Sequence, residues 1–349
     1  MERKRVFIVA EAGSNWKVGP EFDINNAKEL IESAAWAGAD AVKFQFFRSA
    51  TTYAEGAGYC HHLWEKGIQK PIRELFSEIE LPELWLPELA AHSASHKIAF
   101  MASTFSEEDF AKVDTYVTCH KIASPELHHP KLIELCARSG KPLLLSTGIS
   151  TEEEIAWALE LFDRTGGSEV TLLQSTVAYP TTPGAVNLRT LEFLRGRFGR
   201  AVGLSDHSRD PVTAPIAAVA LGATVIEKHF TLDRCAIGPD HSWVINVDEL
   251  KELCRCVRLA EEMLGNMGKR IVLEEEPLRL FSRRSLHTLK AIKQGERLCY
   301  GVNIAILRAG DQPQGAHPQY LERIEGRRLL RDLPQGAGLH LTDVEVSPS

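Results

Sequence analysis

The chain has 349 residues, of which 44% are hydrophobic and 25% charged, a composition typical of a globular protein. This length allows one large domain and a smaller one. The formal net charge of −7 argues against nonspecific nucleic-acid binding, so any anion must be held by a local cluster of cations.

The N-terminus runs directly into a short strand-like segment and lacks the apolar core and cleavage site of a signal peptide. No apolar run approaches the roughly 20 residues that span a bilayer. Seven cysteines are scattered along the chain without a Cys-x-x-Cys pair. We therefore expect a cytoplasmic protein with reduced thiols and no structural zinc site.

Short apolar runs alternate with amphipathic stretches as far as about residue 265, and helical periodicity is clear at residues 24–37 and 152–162. The eight runs are residues 6–11, 41–46, 98–104, 119–124, 142–147, 170–175, 201–206 and 224–230. Eight strand–helix units predict a (β/α)8 TIM barrel, an α/β fold. An open dinucleotide-binding sheet would carry a glycine-rich fingerprint after its first strand, and the chain has none there.

Nearly every run ends on polar residues, which a barrel gathers at the face where active sites lie. His207 directly follows the seventh run and His229 lies at the end of the eighth, with a helical stretch between them. Neighbouring parallel strands would bring both imidazoles to one edge, close enough to share a divalent metal. Glu11, on the first strand, would lie beside the eighth strand as a ligand, a base or a partner of a ligand.

Two lysines, Lys43 and Lys121, lie within otherwise apolar runs. Each must reach the barrel mouth or find a partner, because isolated burial of a charge is very costly. Lys228 would point outward if His229 points inward. Strand-end hydroxyls can join the lysines in holding phosphate and carboxylate oxygens. These hydroxyls belong to Ser103, Ser124, Ser146 and Ser205.

Two insertions interrupt the strand–helix pattern, and the pattern itself changes after about residue 265. Residues 47–81 form either a lid or a surface excursion, and residues 233–244 contain a turn that can place Asp240 over the barrel mouth. We expect a barrel domain at residues 1–268, a linker at 269–284, and a small domain at 285–349, mostly β and irregular. In that last segment, residues 289–298 weakly echo residues 330–339.

Several motifs occur together along the chain. They are AEAGSN at 10–15, AGADAVKFQ at 37–45, LSTG at 145–148, YP at 179–180, GLSDH at 203–207, EKHFT at 227–231 and GPDH at 238–241. In this combination the chain resembles the sialic acid synthase family, which includes the legionaminic and pseudaminic acid synthases. Its C-terminal segment resembles the antifreeze-like (SAF) domain of that family.

The resemblance implies condensation of phosphoenolpyruvate with an N-acylated hexosamine such as N-acetylmannosamine, giving a nine-carbon 2-keto-3-deoxy acid and phosphate. It implies a divalent metal on His207 and His229, Mn²⁺ in preference to Mg²⁺ or Co²⁺. Glu11 and Glu126 would be catalytic, with Glu126 giving or taking a proton. Phosphoenolpyruvate would be held by Lys43, Lys121, Ser103, Ser124, Ser146 and Ser205. The sugar would contact Gln45, Tyr179, Asp240 and, across a domain-swapped homodimer, Arg308.

Departures from the family pattern gather on the sugar side, at Trp16, Phe105, Val177 and around Trp243. We therefore expect an acceptor that is a modified or differently acylated relative of N-acetylmannosamine.

Three other functions remain open from the sequence. A related synthase could use a phosphorylated acceptor, which would need extra cations, and Arg308 and Arg73 are the obvious ones. A Schiff-base aldolase could use Lys121 or Lys43. A non-catalytic carbohydrate-binding protein is the third alternative.

Overall fold

The structure is a computed structural model that describes residues 5–19, 21–65 and 67–345. The chain divides into two compact units between Gly265 and Asn266. The first unit is a closed barrel of eight parallel strands in sequence order, which confirms the predicted fold. Its strands are β1 (Phe7–Gly13), β2 (Ala41–Phe46), β3 (Ala99–Thr104), β4 (His120–Ile122), β5 (Leu143–Ser146), β6 (Val170–Ser175), β7 (Ala201–Asp206) and β8 (Val225–His229).

Helices follow every strand. They are α1 (Ile24–Ala37), α2 (Ser49–Thr52), α3 (His61–Glu65), α4 (Ile72–Glu78), α5 (Leu86–Ser95), α6 (Glu107–Val113), α7 (Pro130–Arg138), α8 (Glu152–Arg164), α9 (Thr190–Phe198), α10 (Thr213–Ala220) and α11 (Val247–Leu264). Capping residues define the helix ends: α8 begins with a capping box of Thr151 and Glu154, and α1 ends at Gly38, which has a φ of 93°. None of the helices in the described part of the chain combines the length and apolar character that a membrane span needs.

The strands have two faces because side chains alternate along them. Ile8, Val42 and Phe44 pack outward in the core beneath the helices. The inward residues build an apolar floor of Val9, Ala41, Met101, Leu144, Leu173 and Val225. Two positions further along these strands, the inward residues become polar, so Glu11 follows Val9 and Lys43 follows Ala41. The barrel interior therefore has an apolar base and a polar mouth.

The fourth strand is shorter than expected. The sequence predicts a strand over residues 119–124, but β4 ends at Ile122 and a 3-10 turn covers Ser124–His128. Pro125 explains the difference, because proline cannot donate a hydrogen bond to a ladder. Ser124 is therefore presented by a turn instead of a strand.

The second unit contains α12 (Glu276–Ser282), β9 (Arg284–Thr288), β10 (Ile304–Arg308) and α13 (Leu321–Ile324). β9 and β10 pair in an antiparallel sheet. The segment expected to be a linker, residues 269–284, includes α12, and the carbonyl oxygens of Leu280 and Phe281 accept hydrogen bonds from Gln314 Nε2 and the Gly310 amide. This segment therefore packs as part of the second unit.

The weak sequence echo corresponds to a twofold arrangement of backbone bonds. Ile292 and Leu333, which are equivalent in the two repeats, exchange N–H···O bonds of 2.9 Å. The amide of Gly295 donates to Leu329 O at 2.8 Å, and that of Gly336 donates to Thr288 O at 2.9 Å. Both glycines have positive φ angles, of 83° and 81°, which suit glycine. In each half of the unit, the turn glycine thus donates its backbone hydrogen bond to a carbonyl oxygen of the other half.

Candidate active site

A polar pocket of about 60 Å³ lies at the carboxyl end of the barrel strands, where such barrels carry their active sites. Predicted site residues from all the strands or the loops after them line it: Glu11, Lys43, Gln45, Ser103, Lys121, Ser124, Ser146, Tyr179, Ser205, His207 and His229. Ser175 and Glu227 also line it and were not predicted. We call this space the inner pocket.

Two lysines and two carboxylates form the charged centre of the inner pocket. Lys43 pairs with Glu11 and lies 3.8 Å from Glu227 Oε1, while Lys121 Nζ lies 3.5 Å from the same oxygen. All four side chains are buried. The lysines are thus compensated from neighbouring strands, as burial of their charge requires.

The two carboxyl groups differ in their surroundings. Burial raises the pKa of Glu11 to about 7, despite the neighbouring Lys43. Burial also acts to raise the pKa of Glu227, but Lys121 and Lys43 together bring it below the ordinary value. Glu227 is therefore the ionised partner of both lysines, and Glu11 titrates near neutral pH.

The lysines differ in the same way. Burial acts to lower both pKa values, but Glu11 and Glu227 outweigh it at Lys43 and raise its pKa. Burial prevails at Lys121, whose pKa is lowered. Lys43 is the more firmly protonated cation of the pair.

The serine hydroxyls have distinct partners. Lys43 Nζ donates to Ser103 Oγ at 2.8 Å, Ser205 Oγ donates to Glu227 at 3.0 Å, and Ser124 Oγ accepts the Gly148 amide at 3.0 Å. Ser146 Oγ and Ser175 Oγ are buried and find no hydrogen-bond partner among the described residues. Buried hydroxyls without partners mark a place where a ligand supplies the missing bonds.

The two histidines lie side by side, with ring centroids 5.4 Å apart. Burial lowers the pKa of His207, and burial together with the neighbouring His207 lowers that of His229 well below its usual value. Both rings are therefore neutral at neutral pH. His207 Nδ1 lies 2.8 Å from Thr176 O and must donate to it, which leaves Nε2 as a ligand atom.

The surroundings of His229 fit a metal ion. His229 Nδ1 is buried without a hydrogen-bond partner in the described chain, and it lies 3.7 Å from Asp240 Oδ2. A Cβ added at Gly13 would lie 3.3 Å from Glu11 Oε1, 3.5 Å from Asp240 Oδ2 and 3.7 Å from His229 Nδ1. Three donor atoms thus face the space beside this glycine. Neutral imidazoles with carboxylates are a donor set for Mn²⁺, Co²⁺, Zn²⁺ or Fe²⁺.

A larger opening of about 520 Å³ adjoins the inner pocket and shares Gln45, Tyr179 and His229 with it. We call it the outer cleft. Residues of the 47–81 insertion form one wall, so this segment is part of the site: Tyr53, Cys60, Leu63, Ile72, Phe76 and Ile79. Val177, Ala178, Pro180 and Pro239 add further apolar surface. No lysine or arginine occurs among the described residues that line the cleft.

Three predicted residues lie outside the inner pocket. Asp240 lines the outer cleft, beside His229. Glu126, in the turn after β4, is half-buried and acts electrostatically on Tyr53 and Tyr179 of the cleft; burial raises its own pKa to about 7. Arg308 is exposed at the end of β10 in the second unit.

Sequence reasoning missed Glu227, although its signal was present. Glu227 and His229 are two residues apart on β8 and therefore share a face. The same alternation sends Lys228 outward, as expected, where it donates to Asp206 at 2.6 Å. Trp243, noted only as a departure, is buried, with ring centroids 5.1 Å from both His229 and Tyr179.

Comparison with known proteins agrees with this geometry. The model described as NeuB family matches residues 30–269, and the SAF domain model matches residues 283–345. The spore coat polysaccharide biosynthesis protein SpsE of Bacillus subtilis (strain 168) is 35% identical, over 99% of this chain and 95% of that protein. A pseudaminic acid synthase of Campylobacter jejuni subsp. jejuni serotype O:23/36 is 34% identical, over 97% of both chains.

A solved structure gives the same result. The N-acetylneuraminic acid (sialic acid) synthetase from Leptospira borgpetersenii serovar Hardjo-bovis, in complex with citrate, superposes with a TM-score of 0.69 and 30% identity. That match covers 79% of this chain and 90% of the other. The chain is therefore an enzyme of the NeuB family, the sialic acid synthases, with a C-terminal SAF domain.

Proposed function

We propose that this enzyme condenses phosphoenolpyruvate with a neutral N-acylated hexosamine and water, releasing inorganic phosphate and a nine-carbon 2-keto-3-deoxy acid. The observation that carries the proposal is the meeting of Lys43, Lys121 and the pocket serines beside two neutral histidines at the barrel mouth. Relatives with the names pseudaminic acid synthase and sialic acid synthetase support the same reaction class.

The inner pocket is suited to phosphoenolpyruvate. Lys43 and Lys121 supply charge-assisted donors for its phosphate and carboxylate, and Ser146 and Ser175 supply hydroxyls that have no protein partner in the described chain. Ser103, Ser124 and Ser205 complete the ring. The enol carbon would then face the outer cleft, from which the acceptor approaches.

The reaction balances with water as the third reactant. The enol carbon of phosphoenolpyruvate bonds to the aldehyde carbon of the open-chain sugar, whose oxygen takes a proton. Water adds to C2, the C–O bond to phosphate breaks, and the keto group forms. Glu126, with a pKa near 7 and an oxygen without a hydrogen-bond partner in the described chain, is suited to give or take a proton at neutral pH.

His207 and His229 would hold the divalent metal, with Glu11 and Asp240 close enough to His229 to contribute oxygen atoms. Mn²⁺ is our first choice, with Mg²⁺ and Co²⁺ as alternatives. When bound, the ion supplies Lewis-acid polarisation of the acceptor aldehyde. Calorimetric titration with MnCl2 should detect binding to the native enzyme and none to His229→Ala, and equal binding by both would contradict this assignment.

The outer cleft indicates the kind of acceptor. Its apolar walls and its lack of lysine and arginine among the described lining residues disfavour a phosphorylated sugar. Val177 offers no hydrogen bond, so an acyl or deoxy substituent fits this wall better than a hydroxyl. Gln45, Tyr179 and Asp240 remain as polar contacts. The acceptor we propose is a modified relative of N-acetylmannosamine with an additional apolar substituent.

A panel experiment tests the acceptor. Enzyme, Mn²⁺ and phosphoenolpyruvate are incubated with N-acetylmannosamine, its 6-phosphate, and diacetamido and 6-deoxy hexosamines, while phosphate release and product mass are measured. We expect the fastest turnover with an unphosphorylated, modified sugar. Best turnover with N-acetylmannosamine itself, or with the phosphorylated sugar, would refute the proposed acceptor.

The quaternary arrangement is also part of the proposal. Arg308 is exposed on the second unit, and we propose that it reaches the sugar site of the other subunit in a domain-swapped homodimer. Mixing His229→Ala and Arg308→Ala subunits tests this arrangement. If one site combines residues of both chains, each mixed dimer has one complete site of two, and random mixing makes about half of the dimers mixed. Recovery of about a quarter of native activity in the mixture is then expected. No recovery would place the arginine and the barrel in the same subunit's site.

One observation favours a second candidate. Burial lowers the pKa of Lys121, and a neutral amine is what a Schiff-base aldolase needs. Borohydride with substrate would trap such an adduct on Lys121. Phosphate release that depends on Mn²⁺, without trapping, favours the condensation.

A further inference from the structure

A second set of metal-ligating side chains lies away from the barrel mouth, on the outer helices. Glu32 belongs to α1, and His92 and His96 lie at the end of the neighbouring α5. One donor atom from each of the three residues lies within 4.8 Å of the others. His92 and His96 are four residues apart, which puts both rings on one side of the helix. Their ring centroids are 4.6 Å apart.

The hydrogen bonds around these residues already orient them as ligands. His96 Nδ1 lies 3.0 Å from the His92 carbonyl oxygen. A carbonyl oxygen only accepts, so Nδ1 carries a proton and Nε2 is the nitrogen left to bind a metal. A backbone carbonyl that fixes the tautomer in this way accompanies most ligating histidines. His92 Nε2 lies 3.0 Å from Glu32 Oε1. The carboxylate accepts this hydrogen bond, so a bound ion would take the place of the Nε2 proton between the two groups.

We propose that Glu32, His92 and His96 form an accessory site for a borderline divalent cation of the Zn²⁺ type, which joins α1 to α5. Two imidazoles and one carboxylate, with water in the fourth position, are a common zinc set, and they disfavour Mg²⁺ and Ca²⁺. The three ligands are exposed or half-exposed, and none of them lines the inner pocket or the outer cleft. The site holds an ion between two helices and takes no part in the condensation.

The chain offers a matched control one helical turn away. Lys28 and Glu88 form an ion pair between the same two helices. Glu88 precedes His92 by four residues, as Lys28 precedes Glu32. Glu88→Gln therefore removes a carboxylate of equal charge and similar exposure from the same helix pair without removing a proposed ligand.

Zinc titration of the full-length enzyme by calorimetry tests the proposal, with ZnCl2 as the probe. The candidate active site is intact in every variant, so its own ion contributes equally. We expect the His92→Ala/His96→Ala double variant to bind one zinc equivalent fewer than the native enzyme. Glu32→Gln should weaken that equivalent about tenfold or more, Glu88→Gln should leave it unchanged, and turnover with Mn²⁺ should be the same in all.

Two outcomes would overturn the proposal. The first is an unchanged zinc stoichiometry in the double variant. The second is an equal loss of affinity in Glu32→Gln and Glu88→Gln, which would mean that general surface charge, not ligation, attracts the ion. A parallel thermal scan shows whether each variant is folded, and native and variant proteins should unfold at similar temperatures without zinc.

Discussion

Replacement of Glu126 by glutamine gives a sharp test, because this half-buried residue has a buried carboxyl oxygen, Oε2, and its pKa is raised from 4.5 to about 7. In the unfolded chain the same carboxyl titrates near its ordinary value. Between these two pKa values the folded state binds more protons than the unfolded state, so stability falls as the pH rises. The stabilisation that protonated Glu126 gives the folded state is complete below about pH 4.5 and is lost by about pH 8.

The magnitude follows from the two pKa values. At about 1.4 kcal/mol for each pH unit of difference, the folded barrel loses about 3 kcal/mol between pH 4.5 and 8. Glutamine has a similar shape and does not titrate, so Glu126→Gln escapes this loss. We expect the variant and the native enzyme to unfold at similar temperatures at pH 4.5. At pH 8 the variant should unfold about 6 °C higher.

Thermal unfolding followed across this pH range measures the difference between the two proteins. Glu11 also titrates near neutral pH, but it is present in both proteins and cancels. Glu160→Gln, an exposed change on α8, is the control and should leave the pH profile unaltered. A difference between native and Glu126→Gln that does not vary with pH would show that this carboxyl is ionised when folded, and our proton assignment would fail. Turnover of Glu126→Gln should fall at every pH if the residue moves a proton.

Three further predictions follow from the same structure. Lys121→Met should raise the KM for phosphoenolpyruvate roughly 10- to 100-fold, since a charge-assisted hydrogen bond contributes about 1.5–3 kcal/mol. The KM for the acceptor should change little. Steady-state kinetics measures both constants, and the reverse pattern would assign Lys121 to the sugar site. Glu227→Gln should destabilise the barrel by about 3 kcal/mol, since it leaves two buried lysines without their ionised partner. Glu11→Gln should destabilise it much less, because burial already favours the protonated form of Glu11. Urea unfolding measures both losses, and the opposite order would contradict the charge assignment. Gly295→Ala and Gly336→Ala should each lower the free energy of unfolding of the second unit by roughly 1–2 kcal/mol, because both glycines have positive φ in equivalent turns. Clearly unequal losses would argue against the twofold relation.

The sequence predicted the barrel well, because parallel strands that are buried on both faces appear as short continuous apolar runs, and these alternate with amphipathic helices. Polar residues such as Lys43 and His229 were visible because they lie within those apolar runs or at their ends. The end of β4 was misjudged because apolar character continues to Ser124, whereas Pro125 ends the ladder earlier.

Pairing between strands was harder to predict than position along a strand. Glu227 was missed because its importance comes from Lys43 and Lys121, which are far away in sequence and meet it only when the barrel closes. The role of residues 47–81 was left open for a similar reason: only the fold shows that Tyr53, Ile72 and Phe76 face the cleft. The change of pattern near residue 265 was visible, but residues 269–284 were expected to be a linker because the hydrogen bonds that join them to Gly310 and Gln314 appear only in the fold.

The exchanged turns of the second unit also bear on its synthesis. Gly295 depends on Leu329 and Gly336 depends on Thr288, so neither half has its backbone partners until the other has been made. Ile292 and Leu333, which exchange backbone hydrogen bonds between the halves, are buried. A buried amide without a partner is costly, so half of this unit is not expected to fold by itself. The ribosome must therefore release the segment around Gly336 before this unit can assemble, and a stop codon just before Gly336 should prevent folding of the whole unit instead of removing only its end.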